Sequence, residues 1–250
     1  MPEGDSLHRI AARLRSLVGL RVTADSPHPR GLATGVAAAV DGRRLEGVEA
    51  VGKHLLLRFE DGVVLRSHLR MSGRWQVGPA GSTRAGRPWL VLRAGGLEAT
   101  QWHGPVLSLG HDAVRRLGPD LLAEATEPAV LVPRLRRTEA SRPLGEVLQD
   151  QRLVAGVGNR WMSEALWAAA LSPWLPVGEA SDDDLRAVLQ WARTEMRAAV
   201  AGPRPGAAVY RRAGRSCRRC GEGIVARGQG ADNRTAYWCP GCQRGPRGGR

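Results

Sequence analysis

The first three residues of the chain carry the most unusual chemistry in the sequence. Met1 is followed by Pro2, which is small enough for the initiator methionine to be removed, and this would leave a secondary amine at the front of the chain. Such an amine can attack a sugar carbon or an aldehyde and form a positively charged imine, as lysine amines do in other enzymes. Glu3 supplies a carboxylate one residue away, within reach of the same sugar as an acid or base. Many chains begin with Met-Pro for no chemical reason, so this prediction needs support from the rest of the sequence.

Four cysteines in the C-terminal part form a second constellation. They occur as two Cys-x-x-Cys pairs separated by 18 residues: Cys217, Cys220, Cys239 and Cys242. This spacing is typical of a structural zinc site, in which two turns supply four thiolates to one tetrahedral ion and the residues between them can fold as a β-hairpin. Two redox dithiols are the alternative. The arginine-rich surroundings favour a zinc knuckle for nucleic acid, and we predict one structural Zn²⁺.

The charge of the chain indicates a polyanionic partner. Its 250 residues carry 37 basic and 24 acidic side chains, a formal net charge of +13, which draws the protein toward nucleic acid. A merely soluble basic protein, or one that adheres to anionic membranes, is the alternative. No stretch approaches the roughly 20 apolar residues that span a bilayer, and the N-terminus lacks the apolar segment of a signal peptide. We therefore predict a cytoplasmic protein.

Lys53 is the only lysine in the chain, and all other basic residues among the 37 are arginines. An ammonium is a compact point charge that a guanidinium does not replace. A single lysine in a chain that otherwise uses arginine therefore indicates a specific role, although chance survival of one lysine explains the pattern equally well.

The elements that would position the N-terminal residues form a helix followed by strands. Apolar residues recur at helical spacing over 5–18 and predict an amphipathic helix, whose positive dipole end would point toward Pro2 and Glu3. From about 20 to 109, short β-like runs alternate with glycine-rich turns, which predicts an antiparallel sandwich or barrel. These runs cover 20–23, 45–51, 54–59, 63–69, 89–92 and 106–109. Residues 26–43 receive no assignment.

The second half of the chain is helical in character. Short helices are predicted at 144–148 and 159–171, and Ser181 with Asp184 forms a capping-box pattern that opens a longer helix. The turn Gly156-Val157-Gly158-Asn159 lies between two helices, where free backbone N–H groups and the Asn159 side chain can bind an anion. Any connection between helices can use glycine, so this turn alone is not specific.

Five segments together resemble the formamidopyrimidine-DNA glycosylase and endonuclease VIII family. Each segment alone is unspecific, whereas five matches in order along nearly the whole chain are highly specific. They are Met1-Pro2-Glu3-Gly4-Asp5, Val51-Gly52-Lys53-His54-Leu55-Leu56-Leu57, Ser67-His68-Leu69-Arg70-Met71-Ser72-Gly73, Leu153-Val154-Ala155-Gly156-Val157-Gly158-Asn159 and Arg234-Thr235-Ala236-Tyr237-Trp238-Cys239-Pro240-x-Cys242-Gln243.

The resemblance implies an α+β multidomain fold. Residues 1–119 would form a catalytic antiparallel β-sandwich with an N-terminal helix. Residues 120–210 would form a helix–two-turn–helix DNA-binding domain, and 211–243 a four-cysteine zinc-finger β-hairpin. Residues 244–250, which are arginine, glycine and proline, are predicted to be a disordered basic tail.

The resemblance also implies roles for single residues. Pro2 would be the nucleophile, Glu3 its acid/base partner and Lys53 a cation in the active-site hairpin. Asn159 and Arg234 would contact backbone phosphates.

A further implied role concerns the segment that would enter the DNA stack. Met71 matches the apolar wedge that fills the space left by an everted nucleotide, with Arg70 beside it as a DNA contact. Core packing in a strand is the alternative for Met71. Arg70 and Ser72 depart from the Gln and Tyr that flank the wedge in the endonuclease VIII pattern, which leaves the contacts with the opposite base open.

The start Glu-Gly-Asp after Pro2 resembles the endonuclease VIII branch, which favours oxidised pyrimidines. The formamidopyrimidine branch, which favours oxidised purines, usually begins Pro-Glu-Leu-Pro-Glu-Val. The predicted function is a bifunctional DNA glycosylase and AP lyase of base excision repair, a monomer acting on double-stranded DNA that contains oxidised bases or abasic sites. The Pro2 amine would attack C1′ of an everted nucleotide, form a Schiff base and cleave the strand by β,δ-elimination.

Three alternatives stay open. The same family could excise oxidised purines, Lys53 could be the attacking amine, or the protein could be a non-catalytic zinc-ribbon protein that only binds nucleic acid. A zinc hydrolase is disfavoured, because the 6 histidines are scattered and none forms a His-Glu-x-x-His motif.

Overall fold

The computed structural model describes residues 2–82 and 86–246, and the chain divides into two compact units between Arg116 and Leu117. The sequence-based boundary follows residue 119. Each unit encloses a hydrophobic core of its own. Nowhere in the two described ranges is there a helix with the length and apolar character needed to cross a bilayer.

The N-terminal unit contains two four-stranded antiparallel sheets, which confirms the predicted antiparallel architecture. Its strands are β1 (Thr23–Asp25), β2 (Leu45–Val51), β3 (His54–Phe59), β4 (Val64–His68), β5 (Arg74–Pro79), β6 (Leu90–Ala94), β7 (Leu97–Trp102) and β8 (Val106–Leu109). One sheet has the order β1-β6-β7-β5 and the other β2-β3-β4-β8. Apolar side chains of both sheets meet in one core cluster with those of the first helix.

Three helices accompany these sheets: α1 (Gly4–Leu14), α2 (Pro29–Leu32) and α3 (Val36–Val40). The predicted first helix is present, but its α-helical part ends at Leu14 and a 3₁₀ turn covers Arg15–Leu17. Leu7 and Leu14 lie fully in the core, as the helical spacing requires. The segment without a sequence-based assignment contains α2 and α3.

The C-terminal unit combines helices with a two-stranded hairpin. Its elements are α4 (Pro128–Arg136), α5 (Leu144–Gln149), α6 (Asn159–Ala168), α7 (Asp182–Ala201), β9 (Val225–Gln229) and β10 (Arg234–Trp238). The predicted capping box is confirmed: the Ser181 hydroxyl accepts from the Asp184 N–H, and the Asp184 carboxylate accepts from the Ser181 N–H. The hairpin predicted between the cysteine pairs is also confirmed, with β9 and β10 antiparallel.

The hairpin is part of the same core as the helices. Ala236 on β10 is fully buried in the cluster formed by helical residues such as Trp161, Met162 and Leu189. At the C-terminal end, Arg244 donates its N–H to the Ala170 carbonyl at 2.8 Å and accepts from the Ser172 N–H at 2.8 Å. The predicted tail thus begins with residues that hydrogen bond to the helical part, while its last residues, 247–250, lie outside the described residues.

Candidate active site and nucleic-acid interface

The N-terminal end of α1 brings a buried carboxylate next to Pro2. Glu3 is the N-cap residue of α1, and its backbone carbonyl accepts from the N–H groups of Ser6 at 2.9 Å and Leu7 at 3.3 Å. Its side chain is almost fully buried, with only 1% of the residue exposed, whereas Pro2 is half-buried. A buried carboxylate next to a residue that can become a secondary amine is a candidate acid/base group.

Lys53 lies at the tip of the hairpin formed by β2 and β3. Val51 pairs with His54 across this hairpin, which leaves Gly52 and Lys53 as a two-residue turn. Gly52 takes a φ of 60°, a left-handed conformation that glycine adopts without steric cost. The turn therefore projects the only lysine from a rigid pair of strands rather than from a loop.

Two histidines that the sequence reasoning gave no role form a pair beside Lys53. His54 on β3 and His68 on β4 are cross-strand partners, and their ring centroids lie 4.7 Å apart in an edge-to-face arrangement. Burial, together with the charges of the partner histidine and of Arg66, Arg70 and Lys53, lowers the pKa of His54 to about 3; burial and the neighbouring cations lower the pKa of His68 to about 4. Both imidazoles are therefore neutral at physiological pH. Each lies in a segment that the sequence analysis had singled out, but only the strand register brings them together.

The segment that carries Met71 is a tight turn held by His68. The Arg70 N–H donates to His68 Nδ1 at 3.1 Å, and Arg70 takes a φ of 48°. Gly73 closes the turn by donating its N–H to the Leu69 carbonyl at 2.8 Å. Met71 is 67% exposed at its apex. Core packing, the alternative for Met71, is therefore wrong, because the side chain projects into solvent.

In the C-terminal unit, a hydrogen bond joins Asn159 to the strand that carries Arg234, and both residues are predicted to contact phosphate. Asn159 is the first residue of α6, and its Nδ2 donates to the carbonyl of Thr235 at 2.6 Å. Thr235 follows Arg234 on β10, so the bond fixes the arginine-bearing strand against the start of the helix. The Tyr237 N–H and Ser163 Oγ, at 3.4 Å, extend the contact by one turn of α6. A helix start with its positive dipole and an adjacent arginine is a suitable site for an anion.

Gln151, which the sequence reasoning did not single out, organises the turn before Asn159. Its Nε2 donates to the carbonyl of Val157 at 2.9 Å, and its Oε1 accepts from the Gly156 N–H at 3.1 Å. Gly156 takes a φ of 95°, which a residue with a side chain rarely adopts. A side chain five residues before Gly156 and six before Val157 thus fixes the glycine turn that is predicted to bind an anion.

Arg234 is held by a carboxylate of its own hairpin. Its Nη2 donates to Asp232 Oδ2 at 3.0 Å, and the side chain is 44% exposed. An ion pair this exposed contributes little to stability because solvent screens it. A phosphate can therefore displace the carboxylate from the guanidinium at small cost.

The four cysteines converge on one point. Their sulfur atoms all lie within 4.8 Å of one another, with 3.8 Å between Cys217 and Cys242 and 3.3 Å between Cys220 and Cys239. Four thiolates around one zinc ion at about 2.3 Å have mutual separations of roughly 3.8 Å. The cluster therefore fits one tetrahedral ion, and it does not fit two separate dithiols.

The electrostatics of the cluster already favour a thiolate at one cysteine. Although burial alone would raise the pKa of Cys217, hydrogen bonds from the Trp167 indole and from backbone N–H groups lower it to about 6. The Trp167 Nε1–Sγ distance is 3.5 Å, and the Arg219 guanidinium lies over the same indole ring at 4.2 Å from its centroid. Trp167 belongs to α6, so the cysteine cluster and the helix that begins at Asn159 share this contact.

Comparison with known proteins agrees with this arrangement. Residues 1–105 match the model of the formamidopyrimidine-DNA glycosylase N-terminal domain, and residues 117–208 match the formamidopyrimidine-DNA glycosylase H2TH domain. The chain is 37% identical to the probable endonuclease 8 2 of Streptomyces coelicolor, with 98% of this chain and 95% of that protein aligned. It is 36% identical to the DNA-(apurinic or apyrimidinic site) lyase Nei2 of Mycolicibacterium smegmatis, with 97% and 99% aligned.

A solved structure gives the same fold. A complex between the Lactococcus lactis formamidopyrimidine-DNA glycosylase and DNA containing an oxidised pyrimidine superposes with a TM-score of 0.82 at 21% identity, covering 98% of this chain and all of that one. Fold and sequence together thus define a two-unit DNA glycosylase architecture with a C-terminal cysteine cluster. The chain belongs to the formamidopyrimidine-DNA glycosylase and endonuclease VIII family, a family of DNA glycosylases and AP lyases, and it is an enzyme of that class.

Proposed function

We propose that this enzyme excises oxidised bases from duplex DNA and cleaves the resulting abasic strand through a covalent bond to Pro2. The observation that carries the proposal is the buried Glu3 carboxylate at the start of α1, directly after a proline that becomes a secondary amine when Met1 is removed. An amine and a carboxylate on adjacent residues provide a nucleophile and a proton shuttle at one place.

The proposed reaction begins when an everted nucleotide brings its sugar to the amine. The Pro2 nitrogen forms a bond to C1′, the glycosidic bond breaks, and the base leaves with the bonding electrons while Glu3 mediates proton transfer. Opening of the sugar ring gives a positively charged imine. This imine acidifies the neighbouring C–H bonds, so loss of a proton from C2′ expels the 3′ phosphate. Loss of a second proton, from C4′, then expels the 5′ phosphate.

Two basic residues and one asparagine would contact the DNA backbone. Lys53 at its hairpin tip, Asn159 at the start of α6 and Arg234 on β10 are each placed on a regular element or a tight turn. Backbone phosphate contacts of this kind supply most of the affinity and make it strongly dependent on salt. Met71, exposed at the apex of its turn beside Arg70, would occupy the gap left by the everted nucleotide.

The four-cysteine cluster would hold one structural Zn²⁺ through Cys217, Cys220, Cys239 and Cys242. When bound, the ion would cross-link the two ends of the zinc-finger hairpin and take no part in the reaction.

The experiment that tests the proposal is reduction with borohydride in the presence of abasic DNA. The mature enzyme should give a covalent adduct, and peptide mapping should place it on residue 2. A form that retains Met1 should bind the same DNA and give no adduct, because its nitrogen at Pro2 is an amide. An adduct on Lys53 would show that Lys53, and not Pro2, is the nucleophile.

Two further outcomes separate the remaining alternatives. DNA binding without any adduct would favour a non-catalytic zinc-ribbon protein. If the adduct forms, a panel of duplexes that each carry one oxidised base decides the branch: we expect faster excision of oxidised pyrimidines than of oxidised purines. The endonuclease 8 names of several relatives support this preference, as does the Glu-Gly-Asp start. Monomeric state and cytoplasmic location stay predictions from the sequence.

A further inference from the structure

A cavity of about 330 Å³ in the C-terminal unit lies between the zinc-finger hairpin and the segment around α5. Gln229 and Arg234 both line it, and they are direct cross-strand partners at the turn end of the hairpin. Side chains of direct partners in an antiparallel pair lie on the same face. Gln229 is only 4% exposed, whereas the Arg234 side chain is 44% exposed. A buried amide therefore lies beside the exposed guanidinium.

The Gln229 side chain fills a socket made by Gly145 and Pro173. Its Nε2 donates to the Pro173 carbonyl at 2.9 Å, and the Gly145 N–H donates to the same carbonyl at 2.9 Å. A Cβ atom at Gly145 would lie 2.1 Å from Gln229 Oε1, far inside contact distance. Only a residue without a side chain leaves room for the amide at this point of α5.

The hairpin needs such an attachment. A two-stranded hairpin is marginally stable by itself, and its turn, residues 230–233, contains two left-handed residues, Gly230 and Asn233. On β10, the Thr235 carbonyl is held by Asn159. On β9, the Gln229 amide is held by the socket. Arg234 lies between these two attachments, so its Cα position depends on both.

We propose that Gln229 is a positioning residue that sets the location of Arg234 by locking the turn end of the hairpin into the Gly145–Pro173 socket. The inference rests on the proposed role of Arg234 as a phosphate contact. Gln229 itself does not touch DNA in this proposal. It acts by fixing the backbone from which the guanidinium reaches a phosphate, so that less conformational freedom is lost on binding.

The test uses the full-length zinc-loaded enzyme and a duplex containing a tetrahydrofuran abasic analogue, which binds but cannot form the imine. Gln229→Met keeps the length of the side chain and removes both hydrogen-bonding atoms. We expect it to weaken DNA binding about fivefold. Arg234→Ala should weaken binding by roughly tenfold or more and reduce the slope of log Kd against log salt by about one.

The double variant distinguishes positioning from a general structural role. If Gln229 acts through Arg234, then Gln229→Met should have no further effect on Kd or on the salt slope in the Arg234→Ala background. The same fivefold loss in both backgrounds would overturn the inference, as would wild-type affinity for Gln229→Met. No effect of Arg234→Ala would instead contradict the phosphate contact in the proposed function, and the inference would fall with it.

Gly145→Ala provides a second route to the same socket without altering the hairpin. The new methyl group would push the flexible end of Gln229 out, so this variant should reproduce the loss of affinity with full zinc content. In the Gln229→Ala background, Gly145→Ala should cause no further loss of DNA affinity, because the shortened side chain at 229 no longer meets the new methyl group. If the losses of binding free energy caused by Gly145→Ala and Gln229→Ala add in full, the socket does not act through Gln229. Should Gln229→Met lose zinc or unfold, Gly145→Ala decides the question alone.

Discussion

The two units place their functional groups by different means. In the N-terminal unit, the proposed nucleophile and its carboxylate are adjacent residues at the start of one helix, so local chain geometry fixes their relation. In the C-terminal unit, Asn159 and the carbonyl of Thr235 that it binds are 76 residues apart, and only tertiary packing brings the strand that carries Arg234 to the helix start. The difference teaches that the proposed covalent chemistry depends on local structure, whereas the proposed phosphate contacts of Asn159 and Arg234 depend on a long-range attachment. Changes at Pro2 and Glu3 should therefore affect the reaction rate, and changes at Asn159 and Arg234 should affect affinity.

The largest change in structure and DNA affinity should follow removal of the proposed zinc ion. Chelation should melt the zinc-finger hairpin and weaken DNA binding by at least about a hundredfold, because binding free energy at a structural zinc site is folding free energy. Hydrogen exchange measured by mass spectrometry should show lost protection over residues 217–243 and unchanged protection of β2 to β4. Equal loss of protection in both units would contradict the prediction that the metal stabilises only the C-terminal unit.

Glu3→Gln should have the next largest effect. Loss of the proposed acid/base group should slow base excision by about 10² to 10⁴-fold, while cleavage at a preformed abasic site should slow much less and Kd should stay within twofold. Single-turnover rates on the two substrates, together with a binding titration, check this. Equal slowing of excision and cleavage would count against a role for Glu3 in base removal.

Trp167→Phe should produce a smaller change, confined to the metal. Its indole N–H donates to Cys217, and loss of such an outer contact typically lowers metal affinity by about 10- to 100-fold. Competition with a chromophoric chelator measures the affinity, and Trp191→Phe, which removes an indole packed against the helical core, is the matched control. The same change in both variants would indicate general loosening rather than loss of the N–H···S contact.

The smallest effect concerns acid stability of the N-terminal unit. An unfolded histidine binds its proton near pH 6.5, whereas His54 and His68 in the folded protein do so only at about 3 and 4. Between these values the unfolded state holds more protons, so the folded state loses stability as pH falls below 6.5. His54→Gln should remove one of these sites. Urea unfolding at pH 7 and pH 5 should show that the wild type loses on the order of 1 kcal/mol more than this variant, a value discounted for partial exposure.

An unchanged difference between the two proteins at both pH values would show that the histidine pair does not control acid stability. The chelation experiment would then be the main test of whether the two units respond differently. Protection of the C-terminal helices should not respond to His54→Gln in either case.

Much of the architecture could be predicted because its signals are local. The periodicity of α1, the capping box before α7, the strands β2 and β3 and the paired cysteines are all written in short segments. Two strands were missed for a physical reason. β7 contains Thr100 and Gln101, polar residues that are 2% and 0% exposed, and β5 ends in Gly78 and Pro79, which read as a turn. Burial between its neighbours decides β7, and antiparallel pairing with β7 decides β5, and a single segment encodes neither.

The sequence by itself determined the family, the chemical types of the proposed site residues and the presence of a four-cysteine cluster, because these depend on residue identity and short spacing. Only the tertiary structure decided that His54 faces His68, that Asn159 holds the strand of Arg234 and that Gln229 fills a socket at Gly145. Each of these contacts joins residues whose separation along the chain carries no periodic signal. These contacts form only when whole helices and strands pack together, and that packing is set by the hydrophobic core rather than by the contacting polar residues themselves.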